Sequence, residues 1–401
     1  MKNDLRKPYF GDPLNYIRVL AMLMVFILHV AVANFYALEE PAKFLLRTPA
    51  WAGVWIFFFI SGYFLCKGFH TGKYPFTVKG ILKFWWARFV KIAPSYYLVI
   101  WLAHEMIGLN ENASPKELTN LLTFNFDGTG SYIAAIGSLW FVSTIMKLYL
   151  LMPLIALVCI PLKKQRVLTG VLCGVVIALG LGLRLYMYNN DYSWYADTYV
   201  SVVGNLDIII SACLFALMRT QLDTKKEDGK ERRWNYMFRF IAAVLIITLV
   251  ADNCYIYFMN TAHNMFVYRY ILPSIYILCT AFFVLCFDTG KTKRETAGKF
   301  HFIDFLSTVS FEFYMVHVPI KSLTAEFFNF AWMDNIWRYL VYLLIQFSLS
   351  LAAATAIHYA TDGAVKLIKF IVNSVVKLIE KFAKKIIDTI KKGKGVNNNA
   401  Q

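Results

Sequence analysis

Runs of about twenty mostly apolar residues recur along this chain, and that is the length a helix needs to cross a bilayer. They fall at 14–35, 50–66, 89–109, 139–161, 167–188, 199–218, 237–258, 267–287, 303–328 and 336–359. Backbone amides inside a membrane have no water to bond, so only helices and closed barrels can span it. Runs of this length favour helices. The expected fold class is therefore all-α, a polytopic membrane helical bundle of about ten transmembrane helices. Composition agrees, with 58% hydrophobic and 16% charged residues.

The loops sort by charge. Lys2, Arg6 and Lys7 precede the first run. Lys67, Lys73, Lys79 and Lys83 lie between the second and third, and Lys163, Lys164 and Arg166 between the fourth and fifth. Lys225, Lys226, Lys230, Arg232 and Arg233 follow the sixth, and Lys291, Lys293, Arg294 and Lys299 the eighth. The alternate loops carry Glu39, Glu40, Asn110, Glu111, Asp127, Asp191, Asp197, Asn260 and Asp334. The positive-inside rule then places both termini in the cytoplasm of a multi-pass protein of the plasma membrane.

The net charge of +16 is explained by cytoplasmic loops facing anionic lipid, so membrane lipid is an expected partner and nucleic acid is not. Residues 1–362 form the expected membrane domain. The segment 363–392 sets Ile368, Ile371, Val375, Ile379, Phe382, Ile386 and Ile390 among lysines and reads as a basic amphipathic helix on the inner leaflet. Residues 393–401 are expected to be disordered. Arg18 interrupts the first run, and the run is too long for a signal core, so no cleavage is expected. The seven cysteines show no CxxC spacing, which indicates neither a disulfide framework nor a metal site.

Ionisable groups inside apolar runs are costly and usually face a protein interior or a cavity. Arg18 and His29 share the first run. Their spacing is three helical turns plus about 20°, which puts both on one face roughly 16 Å apart. A neutral imidazole can take a proton from a hydroxyl nucleophile, and a cation at the membrane surface can hold a phosphorylated group. Counting from the run ends sets His317, Lys147 and Asp207 at a depth similar to His29. That suits a shared polar cavity. Equally, Lys147 and Asp207 could neutralise each other, and His317 could be a packing residue. Two function classes fit: an enzyme, and a transporter or flippase. No internal repeat relates the halves, which favours the enzyme.

Several segments resemble the acyltransferase family 3 membrane enzymes, which O-acylate carbohydrates. Arg18-VLAMLMVFIL-His29 is similar to the family's leading signature, and "GVWIFFFISGYFL" (Gly53 to Leu65) to its second-span segment. "RFVKIAPSYY" (Arg88 to Tyr97), "SLWFVSTIMKLYLLMP" (Ser138 to Pro153) and "FYMVHVPI" (Phe313 to Ile320) follow in the family's order. The family's Arg-x-x-Arg appears here as Arg88-Phe-Val-Lys91, and lysine lacks the planar fork that grips phosphate.

The resemblance implies transfer of a short acyl group, most simply acetyl, from cytoplasmic acyl-CoA to a hydroxyl of an envelope glycan or lipid-linked sugar. Acyl-CoA is then a donor substrate, with no permanently bound cofactor. Arg18, Arg88 and Lys91 would hold the CoA phosphates, with Ser61 beside that mouth. His29 would be the general base or carry the acyl group. Trp140, Tyr314 and His317, with Lys147 and Asp207, would serve the acceptor. No Trp-Ser-Leu…Glu segment and no SGNH-type hydrolase domain is present, so transfer is completed within the membrane domain or with a separate extracytoplasmic partner.

Overall fold

The computed structural model describes residues 13–31, 50–107, 114–128, 131–222, 231–259, 262–288, 301–325, 327 and 336–397. The elements there are all helical. They are α1 (Pro13–Ala31), α2 (Ala50–His70), α3 (Val78–Ile107), α4 (Pro115–Leu122), α5 (Trp140–Val158), α6 (Arg166–Asn189), α7 (Leu206–Leu222), α8 (Glu231–Met259), α9 (Leu272–Phe287), α10 (Phe302–Thr324) and α11 (Ile336–Asn397). A 3₁₀ segment, Ser131–Leu139, leads into α5, and two π-helical turns, Trp194–Tyr199 and Val267–Ile271, precede α7 and α9.

Each expected apolar run overlaps a helix. Six candidate spans among the described residues are long and apolar enough to cross a membrane, not specifically ten. Of the helices not counted, α3 and α10 carry charged residues along their length, which lowers their mean hydropathy. The second and third runs also differ from expectation at their ends. α2 continues to His70, and α3 begins at Val78, so Lys67, Lys79 and Lys83 sit on helix and not in a loop. The charged loop positions at 2–7, 39–40, 110–111, 225–230, 260, 291–299 and 334 lie outside the described residues.

Within residues 1–355, which form one compact unit, α2 is the central element. It packs against α1, α5, α7 and α9, and α10 closes on α1. The most apolar window of α2 is 78% buried, against 17% for α6. That difference makes α2 the core and leaves α6 a flank. Small residues allow these approaches, as is usual where membrane helices pack without a hydrophobic drive. A Cβ at Gly53 would stand 2.6 Å from the Ala21 carbonyl oxygen, so only glycine lets α1 lie this close to α2. At one end of the bundle, Asp288 ties three helices. Its carboxylate accepts from Tyr63 Oη at 2.6 Å and from Lys67, and its carbonyl accepts from Arg219 Nε at 2.6 Å.

The second unit, residues 356–401, is the remainder of α11 and the tail. Helix continues to Asn397, past the point where disorder is expected. Leu367, Ile368, Phe370 and Ile371 are exposed on it, and Lys366 pairs with Asp362 one turn away.

Candidate active site

The C-terminal turns of α1 meet the last turns of α10 through two histidines. His29 Nδ1 lies 2.8 Å from His317 Nε2, and His317 Nδ1 lies 2.7 Å from the carbonyl oxygen of Tyr314. The carbonyl can only accept, so His317 Nδ1 carries a proton. With both rings neutral, His317 Nε2 is then the acceptor, and His29 Nδ1 must be the donor. This leaves the lone pair of His29 on Nε2, where no hydrogen bond reaches it among the described residues. His317 is 1% exposed and stacks on Phe313, while His29 is only partly buried. Lys321, one turn beyond His317, donates to the His29 carbonyl at 2.5 Å and pins the end of α1. One ring is thus fixed by the protein and the other is open.

His29 opens into a cavity of about 220 Å³ lined also by Trp51, Ser138, Trp140, Tyr195, Tyr199 and Tyr314. Its wall is aromatic: Trp140 meets Tyr199 at 4.7 Å between ring centres, and Trp51 meets Trp194 at 4.2 Å. Polar atoms are few but placed. Ser138 Oγ is buried with no hydrogen-bond partner among the described residues. Burial, with the Asp127 carboxylate nearby, pushes the Tyr195 phenol up to about 12, so it remains a hydroxyl donor at neutral pH. An apolar cavity with a few convergent polar groups is the usual form of a small-molecule site.

A second group of polar residues gathers nearer the start of α1. Arg18 donates to Asn15 Oδ1 at 3.2 Å and stacks over Phe64 at 4.7 Å. Asn15 donates to Asp304 at 2.8 Å, and Ser307 donates to Asn15 at 2.9 Å, which binds this end of α1 to the first turn of α10. Tyr149, on α5, interacts with Ser61 and lies in the field of both Arg88 and Arg18. Arg88 donates to Tyr74 at 3.3 Å, while its Nε is buried with no hydrogen-bond partner among the described residues. Arg18, Arg88 and Ser61 are therefore brought together. Lys91 is exposed on α3.

Lys147 and Asp207 do not pair with each other, and neither lines the cavity. Lys147 donates to Asn125 at 2.7 Å. Asp207 is held by Arg184 through two bonds, at 2.8 and 3.1 Å, and Arg184 also reaches Ser274 at 2.8 Å. The reason is steric as well as electrostatic. Gly180 leaves α6 so bare that a Cβ there would fall 2.0 Å from the Asp207 carboxylate. Arg184 stands inside the fifth apolar run, where its charge was the available signal. Glu312 is similarly visible, a buried acid on α10 that accepts from Ser95 at 3.3 Å. Trp51, Tyr199 and Tyr149 carry no such mark, because aromatic residues are frequent in the runs, and Tyr195 lies between two of them.

No curated protein and no solved structure matches this chain. A family model described as an acyltransferase domain matches residues 13–355, which takes in both histidines, the cavity and the arginine group. With that match over most of its length, this chain belongs to acyltransferase family 3 and is a membrane-embedded acyltransferase.

Proposed function

We propose that this acyltransferase moves a short acyl group, acetyl being the simplest, from acyl-CoA to a hydroxyl of an envelope glycan or lipid-linked sugar. The observation that carries the reading is the open Nε2 of His29, directed by His317 into an aromatic cavity. In this scheme the acceptor hydroxyl gives its proton to His29 Nε2 as its oxygen attacks the thioester carbonyl. The new C–O bond forms, the C–S bond breaks, and the departing thiolate recovers the proton from the imidazolium. Ser138 Oγ and the Tyr195 hydroxyl are available to bond the acceptor. His29 as a transient acyl carrier requires the same free nitrogen.

Arg18 and Arg88 would hold the CoA phosphates, with Ser61 and Tyr149 between them. The buried Nε of Arg88, without a partner among the described residues, supports this, because a guanidinium in such a place suits a phosphate oxygen. Charge distribution in the sequence orients this end to the cytoplasm, with ten crossings and both termini inside. Membrane lipid is the protein's surroundings, and residues 363–392 would lie along the inner leaflet.

The test is acyl transfer by the purified protein in detergent, from labelled acetyl-CoA to a glycan pool. His29→Ala is expected to lower the rate by at least about 10²-fold, the usual worth of a positioned general base, with an unchanged melting temperature. Near-normal turnover by the folded variant would remove His29 from the chemistry.

A further inference from the structure

One π-helical turn, Trp194–Tyr199, lines the cavity through Tyr195 and Tyr199, and the other, Val267–Ile271, packs against it. Turns of this kind are uncommon and concentrate at functional sites. Trp194–Tyr199 contributes Trp194, which stacks on Tyr199 at 5.1 Å and an interplanar angle of 12°. Val267–Ile271 contributes a cation, Arg269. Its guanidinium carbon lies 4.8 Å from the centre of the Trp194 ring and 5.9 Å from Trp51, itself a wall of the cavity. The Trp194 indole N–H donates to the Arg269 carbonyl at 3.3 Å, which locks the two turns together.

What Arg269 lacks is an anion. Its Nε is buried with no hydrogen-bond partner, and no carboxylate pairs with the guanidinium among the described residues. Asp197, on the facing turn, uses its carboxylate to cap the Ser193 N–H at 2.8 Å. Ring faces attract a guanidinium, but they leave its buried Nε–H unsatisfied. A partly buried cation in that state is costly unless a ligand completes it. The fork of donors suits a planar or tetrahedral oxyanion.

We propose that Arg269, framed by Trp51 and Trp194, binds an oxyanion carried on the acceptor, so that the enzyme selects glycans bearing a carboxylate or a phosphate near the hydroxyl it acylates. The sugar ring would lie against the aromatic wall, with its anion on Arg269 and its hydroxyl turned toward His29. This rests on the acyltransferase reading for the identity of the ligand, but the binding step needs no turnover.

The experiment therefore measures binding, in nanodiscs, by ligand-observed NMR titration. Three disaccharide probes are compared: one carrying glucuronate, one carrying a phosphate monoester, and a neutral counterpart. The titrations are run in the wild-type protein and in a His29→Ala background, so that a failure of acyl transfer does not affect the result. At least one charged probe should bind wild type more tightly than the neutral one, and the stronger of the two identifies the anion. Arg269→Gln should weaken the charged probe about tenfold or more, as loss of a charge-assisted bond does, and the neutral probe less than about twofold. Arg269→Lys should fall between, since it keeps charge and loses the fork. If Arg269→Gln does not fold, Arg269→Lys carries the test: a selective loss for the charged probe supports the proposal and unchanged affinity overturns it. Equal affinity of all probes for wild type, or equal loss of charged and neutral probes in a folded variant, also overturns it.

Discussion

At the residue scale the site turns on which nitrogen of His29 is free. The Tyr314 carbonyl sets the tautomer of His317, and His317 sets that of His29. His317 is thus a positioning residue, and its contribution is a single acceptor atom. His317→Gln keeps an acceptor at that place, whereas His317→Phe removes it. The Phe variant is expected to lose about 10²-fold in kcat, a general base's lower worth, with little change in KM for either substrate. The Gln variant should stay within about tenfold of wild type. Equal activities in the two variants would show that His317 only packs. The sequence marks both histidines, because imidazoles inside apolar runs stand out. Their mutual contact is not readable there, since 288 residues separate them. Neither the shared cavity expected for Lys147 and Asp207 nor the alternative, their mutual pairing, is found, for a related reason. Equal depth does not specify azimuth, and Arg184 lies on the neighbouring helix that Gly180 brings within reach.

At the scale of elements, α2 holds the site together because four helices and the cavity wall meet on it. Trp51, at its start, faces the cavity, and Ser61, ten residues on, faces the arginine group. Gly53 permits the contact that sets α1, and with it His29, against this helix. Gly53→Leu is expected to destabilise the protein by about 1–3 kcal/mol through overpacking, lowering the melting temperature and the transfer rate together. Gly170→Leu on α6, where a side chain would meet open space, serves as the control and should leave both unchanged. An unaltered melting temperature in Gly53→Leu would contradict the close approach. Hydropathy locates these helices well, since burial in lipid and burial in protein both demand apolar residues. It misplaces the start of α3, whose Lys79 and Lys83 ride on a helix that the charge pattern alone reads as a loop.

At the scale of the whole membrane domain, two polar regions are held apart along α1, with Arg18 at one and His29 at the other, roughly 16 Å by helical rise. Donor and acceptor would enter from opposite ends and meet at the imidazole. Removing charge at the first region should then affect only the donor. Calorimetry with a non-hydrolysable acetyl-CoA analogue is expected to show affinity falling about tenfold or more in Arg18→Gln and Arg88→Gln, as charge-assisted phosphate contacts are lost. Unchanged affinity in both would displace the donor site. The charge asymmetry that suggests this arrangement is legible in the loops, while the cavity is not, because its walls come from five separate stretches of chain. The central claim is that acyl transfer occurs inside the bundle at His29. Liposomes with oriented protein and acyl-labelled CoA on the Arg18 side test it most directly: the account predicts a labelled acceptor sugar that disappears in His29→Ala. Passage of an unmodified glycan, equally fast in that variant, would contradict it.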